Sequence, residues 1–284
     1  MGPRRDAVTG RSARAPGPLR AGWSPPPVNL HRVTRGGGAD VALLHGWGLH
    51  GGVFDALATA LAQRHRVHVL DLPGHGRSPW AKGAGDLEGM ARGVAAHLPE
   101  RCSLVGWSLG GLVAVRIATL FPARVPALAL IATGAAGSRR RDGDAGPDDA
   151  MLAGMAQRLG RDWRGTMQEF LGLEVRGDAN PLEALRELKR CVQEGGAPST
   201  AALDAGLAIL RAVDLRPELG DVRARTLVVA GEYDRLTPPA AARALAAGIA
   251  GARYVEVPRA AHAPFLSHRA ELATLLDAFL AEGA

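Results

Sequence analysis

Cysteine is scarce in this chain of 284 residues: Cys102 and Cys191 are the two present, far apart and in no Cys-x-x-Cys pair. That excludes a disulfide framework and a zinc knuckle, and it fits a reducing cytosol. Aromatic residues make up only 4%, too few for base-stacking platforms along an extended nucleic-acid surface. No apolar run reaches the roughly 18–20 residues that a membrane-spanning helix needs. Lysine is nearly missing. With Lys82 and Lys189 the only two, 32 of the 34 basic residues are arginine, and 37 glycines accompany them. Such a bias reads as GC-rich coding rather than as a binding surface.

What is present is a soluble globular composition, 47% hydrophobic and 22% charged, with a formal charge of +6. The length allows one large α/β domain or two small domains, with a substantial core. Much of the positive charge is local. Residues 1–28 carry Arg4, Arg5, Arg11, Arg14 and Arg20 against Asp6, a net +4, so the other 256 residues carry only +2. The same stretch holds six of the 19 prolines, including Pro25-Pro26-Pro27, and no apolar core of a secretory signal. It is expected to be a disordered Arg/Pro-rich extension. A phosphate-binding protein would instead cluster its charge on one element of the fold.

From residue 41 the pattern alternates short β-rich apolar runs with longer helical stretches. Strands are expected at Val41–Leu44, Val67–Leu70, Cys102–Val105, Ala127–Ile131, Thr226–Ala230 and Tyr254–Val257, with helices at Val53–His65, Asp86–Leu98, Gly110–Phe121, Pro239–Ile249 and His268–Ala281. This alternation means a mostly parallel sheet with helices on both faces, and working residues on loops at the carboxyl ends of the strands. The segment 28–38 is short for a leading hairpin, so no first strand is assigned there. Between 137 and 212 the alternation stops. Helical segments punctuated by Gly and Pro take over, as expected for a helical insertion folded over the sheet, with 11 basic and 12 acidic residues.

The strongest chemical signal is Gly106-Trp107-Ser108-Leu109-Gly110-Gly111, directly between an expected strand and an expected helix. Gly-x-Ser-x-Gly in that context is a nucleophile elbow, a turn so tight that small residues must flank the serine. A nucleophilic serine needs a base, and the base needs an orienting acid. Among nine histidines, His262 is the best placed, in the loop after the last expected strand; His268 opens the final helix, and His65, His68 and His97 lie in helix or strand patterns. Of ten aspartates between Ser108 and His262, Asp234 follows strand Thr226–Ala230 in Gly231-Glu232-Tyr233-Asp234. Asp214 and Asp221 precede that strand, and Asp142, Asp144, Asp148 and Asp149 belong to a polar loop. Oxyanion donors are expected from the backbone N–H of Leu109 and of Trp47, in His45-Gly46-Trp47-Gly48. His45 would brace that loop. The Trp47 indole, between two glycines on a loop, would line an acyl pocket rather than join the core.

These residues resemble the α/β-hydrolase superfamily. Leu43-Leu44-His45-Gly46-Trp47-Gly48-Leu49, Asp71-Leu72-Pro73-Gly74-His75-Gly76-Arg77-Ser78, Gly106-Trp107-Ser108-Leu109-Gly110-Gly111 and Ala261-His262-Ala263-Pro264-Phe265 narrow the resemblance to the pimeloyl-[acyl-carrier protein] methyl ester esterases of biotin synthesis. The resemblance implies an α/β-hydrolase core over 29–136 and 213–284 with a helical cap over 137–212. It implies Ser108, Asp234 and His262 as a catalytic triad, and a substrate site made by Trp47, Ser108, Leu109, His262 and the cap residues Phe170, Leu171, Gly172, Leu173 and Glu174. The reaction implied is hydrolysis of a methyl ester on an acyl-carrier-protein-linked chain by a cytoplasmic monomer. No metal or organic cofactor, nucleic acid or membrane is implied.

An acidic carrier should meet basic residues on the cap. Arg186, Lys189 and Arg190 fall at i, i+3 and i+4, on one helical face. They would either contact the carrier or form a solvated face paired with Glu183 and Glu187. A general short-acyl carboxylesterase, a carbon–carbon bond hydrolase and a binding module without turnover remain alternatives on the same fold. Dehalogenase and epoxide hydrolase chemistry put Asp at the elbow, so Ser108 argues against both.

Overall fold

The computed structural model describes residues 29–138 and 146–282. Residues 1–28, expected to form an extension, and Asp142 and Asp144, expected in a polar loop, lie outside them. Strands β1 (Arg32–Arg35) and β2 (Ala39–Leu44) lead into helix α1 (Asp55–Leu61), β3 (His65–Leu70), α2 (Leu87–Ala95), β4 (Ser103–Trp107), α3 (Leu109–Leu120) and β5 (Ala127–Ile131). Among the described residues four helices follow without a strand: α4 (Asp149–Leu159), α5 (Trp163–Glu174), α6 (Pro181–Gly195) and α7 (Thr200–Ala212). The series then resumes with β6 (Arg225–Gly231), α8 (Pro239–Gly248), β7 (Arg253–Val257), the short α9 (Pro264–Ser267) and α10 (Arg269–Ala281).

The seven strands form one sheet in the order β1-β3-β2-β4-β5-β6-β7. All neighbours are parallel except β1, which runs antiparallel to β3. The antiparallel edge strand was not expected. Its four residues, Arg-Val-Thr-Arg, alternate between exposed and half-buried, so no apolar run marks them. The inner strands β4 and β5 are buried along their whole length, which is why they read as continuous apolar runs.

Strand limits moved where pairing outlasts the apolar run. β4 continues through Gly106 and Trp107 because these pair with Leu130 and Ile131 of β5, so Ser108 follows the strand directly. His65, expected at a helix end, opens β3 beside Ala39, and its Nε2 lies 2.8 Å from Asp277 Oδ1. His68 is likewise structural, with Nε2 2.7 Å from Asp40 Oδ1.

Strand order positions the site. β2 lies between β3 and β4, so the chain turns one way from β2 to β3 and back across to β4. Such a switch point opens a crevice at the carboxyl ends of the two strands. Leu44 pairs with Gly106, placing the His45–Gly48 loop and the turn at Ser108 side by side above it.

The four-helix stretch leaves and rejoins the sheet through a narrow neck. Ala136 bridges Asp214, Gly137 N donates to Val213 O at 2.6 Å, and Leu215 N donates to Ala135 O at 2.7 Å. Its helices carry their own buried faces, including Leu152, Met155, Met167, Phe170, Leu188, Leu203 and Leu207. Among the described residues no helix is long and apolar enough to cross a membrane.

Candidate active site

Ser108 occupies a backbone conformation that side-chain-bearing residues rarely adopt, with φ 54° and ψ −117°. Such a geometry costs on the order of 1–3 kcal/mol and must be held by its surroundings. Three hydrogen bonds hold it: Ser108 N donates to Ile131 O at 3.0 Å, while Gly111 N and Leu112 N donate to Ser108 O at 2.9 and 3.1 Å. The flanking glycines are there for space. A Cβ on Gly106 would fall against the backbone of Gly110 and Gly111, and one on Gly110 against Leu44 O and His45 O. Helix α3 can therefore start hard against the sheet, with Ser108 partly exposed above it.

Leu109 is the first residue of α3, so its N–H belongs to the group without an acceptor inside the helix. Trp47 stands on the neighbouring loop, which His45 braces. His45 Nδ1 donates to Gly46 O at 2.7 Å, and its Nε2 accepts from Leu72 N at 2.9 Å. Burial pushes the His45 imidazole down to about 3. With both nitrogens engaged and the ring neutral, it has no lone pair to offer as a base.

The Trp47 indole does not follow the expectation for a loop residue. It is fully buried, because α7 closes over it from the other side of the crevice. Trp47 Nε1 donates to Leu203 O at 2.9 Å, and Gly206 lies so close that a Cβ there would strike the indole. The ring meets Phe170 edge-on, with centroids 4.9 Å apart. Met167, one turn earlier on α5, packs over Gly48. Of the expected cap residues, Phe170 and Leu171 are buried, while Gly172 and Leu173 are half-buried.

Asp234 and His262 come together from two adjacent strand ends. Asp234 is buried in the turn after β6; its Oδ1 accepts from Leu236 N at 2.9 Å and Thr237 N at 2.8 Å. Its Oδ2 lies 2.8 Å from Nδ1 of the buried His262. Gly231 permits this approach, since a Cβ there would overlap Ala260 O and Ala261 O. Trp107 Nε1 donates to His262 O at 2.8 Å, tying the histidine to the residue immediately before Ser108. With Nδ1 facing the carboxylate, Nε2 is left for a substrate or nucleophile. Among the described residues no hydrogen bond joins Ser108 Oγ to His262; such contacts often tighten only when substrate binds. Glu232, the other acid of this turn, accepts from Arg259 N at 2.8 Å instead.

Glu174 was expected only as one of several pocket residues, yet its setting is unusual. Its side chain is buried and neither carboxyl oxygen has a hydrogen-bond partner. Burial, reinforced by the nearby Asp234 charge, pushes its carboxyl well above the usual carboxylate range. Folding therefore favours its neutral form, whereas the unfolded chain ionises it above about pH 4.5. Stability from this group is complete below that pH and is lost as pH rises. Glu174→Gln is expected to raise stability relative to the wild type as pH climbs from about 4.5 to 8, with the gain disappearing towards about pH 4.5. Urea denaturation of both proteins from pH 4.5 to 8 measures this, and a pH-independent difference would refute it.

On the insertion surface Arg186, Lys189 and Arg190 of α6 are exposed. The expected pairing with Glu187 is not formed, because that carboxylate pairs with Arg269. Arg190 Nε lies 3.9 Å from Glu194 Oε1. Among the described residues no group of three or more His, Cys, Asp or Glu is placed to hold a metal ion.

Known proteins resemble this chain over most of its length. The profile of the Alpha/beta hydrolase family matches residues 41–275. A pimeloyl-[acyl-carrier protein] methyl ester esterase from Nitrosomonas europaea is 40% identical over 251 residues, covering 88% of this chain and 99% of the relative. The protein of the same name from Pectobacterium carotovorum is 42% identical over 242 residues, covering 85% and 94%. A bromoperoxidase from Bacillus anthracis superposes with a TM-score of 0.82 at 21% identity over 90% of this chain and 96% of that one. At that identity the likeness speaks for the fold alone.

Proposed function

Because the chain belongs to the alpha/beta hydrolase family, we propose that it is a serine carboxylesterase acting on the methyl ester of a pimeloyl chain carried by acyl carrier protein. The products are methanol and the free carboxylate on the carrier, a step that serves biotin synthesis. The observation that carries the chemistry is the buried His262–Asp234 hydrogen bond of 2.8 Å, beside a serine in the strained turn of a nucleophile elbow. The names of the relatives at about 40% identity over nearly their full length support the substrate.

Ser108 Oγ attacks the ester carbonyl while His262 Nε2 takes its proton. Asp234 orients the ring and stabilises the imidazolium that forms. The N–H groups of Trp47 and Leu109 receive the negative charge on the carbonyl oxygen, where one such donor is worth about 3–4 kcal/mol. Collapse expels methoxide, which leaves as methanol with the proton from His262. Water, deprotonated by the same ring, then cleaves the acyl-enzyme and frees Ser108.

Residues 137–212 act as a cap over this centre. The apolar face of Phe170 and Leu171, with Gly172, Leu173 and the neutral Glu174, borders the acyl chain. Arg186, Lys189 and Arg190 offer the exposed positive face for the acidic carrier. The enzyme is read as a cytoplasmic monomer.

Purified protein should convert methyl pimeloyl-[acyl-carrier protein] to the free acid with release of methanol. Its gene should also restore growth without biotin to a strain lacking its own methyl ester esterase. Hydrolysis of short nitrophenyl esters without either result would reassign it as a general short-acyl carboxylesterase.

A further inference from the structure

We propose that Asp178, in the turn between α5 and α6, is a positioning residue for His262, so that the insertion holds the proposed base from outside the sheet. The inference rests on the reading of His262 as that base.

The stretch that carries His262 runs from Ala261 to the end of α9 at Ser267, and a single carboxylate oxygen grips both of its ends. Asp178 Oδ2 accepts from Ala261 N at 3.1 Å and from Ser267 Oγ at 2.8 Å. The other oxygen, Oδ1, accepts from Asn180 N at 3.1 Å and so fixes the rotamer. Asp178 is itself buried. Ser267 has one hydroxyl proton, which goes to the carboxylate, so its oxygen accepts from His268 Nδ1 at 2.8 Å.

Two main-chain bonds run beside this clamp. Ala179 N donates to Arg259 O at 3.0 Å, and His262 N donates to Glu174 O at 3.0 Å. Arg259 sits at φ 56°, a conformation that needs external support. The histidine loop is thus bound at residues 259, 261, 262 and 267 to the segment 174–179, which belongs to the insertion and not to the sheet. The Asp234 contact sets the ring's tautomer and direction; the Asp178 clamp sets where its backbone stands. Misplacement of a reacting group by about 1 Å can cost on the order of a hundredfold in rate.

The test compares full-length wild type with Asp178→Ala, Asp178→Asn and Ser267→Ala on a soluble short-acyl nitrophenyl ester, which needs no carrier docking. Asp178→Ala is expected to lower kcat at least about tenfold with KM within about twofold. Asp178→Asn keeps one oxygen able to accept from Ala261 and Ser267 and should return kcat to within about threefold. The low-field proton resonance of His262 Nδ1–H should broaden in Asp178→Ala and sharpen again in Asp178→Asn. Wild-type kcat and an unchanged resonance in a folded Asp178→Ala would overturn the proposal. So would a loss of kcat that Asp178→Asn fails to restore while the resonance stays unchanged. If Asp178→Ala does not fold, Ser267→Ala decides: a kcat loss of about threefold at constant KM supports the clamp, and wild-type kcat refutes it. His262→Ala is measured alongside. Retained activity there defeats the catalytic reading itself, whereas an inactive His262→Ala with a fully active Asp178→Ala defeats only the role of Asp178.

Discussion

Ser108→Ala is expected to lower kcat by about 10⁵- to 10⁶-fold on any ester the protein hydrolyses, the scale on which loss of a serine nucleophile acts. The oxygen removed is the atom that would form the acyl-enzyme, and nothing else at the turn can replace it. Leu109 and Gly110 follow on α3 with no nucleophilic side chain, and Trp107 before it is buried with its Nε1 bonded to His262 O. KM should change little, because the proposed acyl-binding residues of the cap, Phe170 and Leu171, make no use of the hydroxyl. Nor should the fold suffer. The strained φ of 54° is held by backbone hydrogen bonds to Ile131 and Leu112 that alanine keeps. Steady-state kinetics beside a thermal melt checks both halves. A folded Ser108→Ala that loses less than tenfold would sink the mechanism.

Asp234→Asn is expected to cost about 10⁴-fold in kcat, the effect of presenting the base in the wrong tautomer. The local hydrogen bonds decide which way the amide points. Oδ1 accepts from two backbone N–H groups, Leu236 and Thr237, so the asparagine oxygen must stay there. Its NH₂ then takes the place of Oδ2 and donates to His262 Nδ1. That drives the ring proton to Nε2, the nitrogen proposed to receive the proton of Ser108. Geometry is preserved while function is lost. The low-field His262 Nδ1–H resonance should vanish with the activity, and a variant that keeps both would show that Asp234 is not the partner of the base.

Much of the fold was legible because it is written in local patterns. Buried parallel strands such as Ala127–Ile131 read as unbroken apolar runs, and glycines at 106 and 110 mark a turn that tolerates no side chains. Asp234 and His262 were legible as polar residues that sit just past an expected strand. Trp47 was harder. Its sequence neighbours, Gly46 and Gly48, describe a loop, whereas its burial comes from Leu203 and Gly206 more than 150 residues away. β1 escaped notice because an edge strand with one half-buried face has no apolar run to announce it.

By itself, the sequence determined the sheet-and-helix alternation, the elbow at Ser108 and the loops that carry Trp47, Asp234 and His262. Each depends on residues within a few positions of one another, through apolar periodicity or the space a tight turn allows. Only the tertiary structure decided that β2 lies between β3 and β4 and so opens the crevice, and that α7 seals Trp47. It alone brought the carboxylate of Asp178 to the backbone of Ala261, 83 residues away, and left Glu174 buried without a partner. Those outcomes rest on long-range packing and on desolvation, which act on whichever groups the folded chain encloses and leave no mark in the order of the residues.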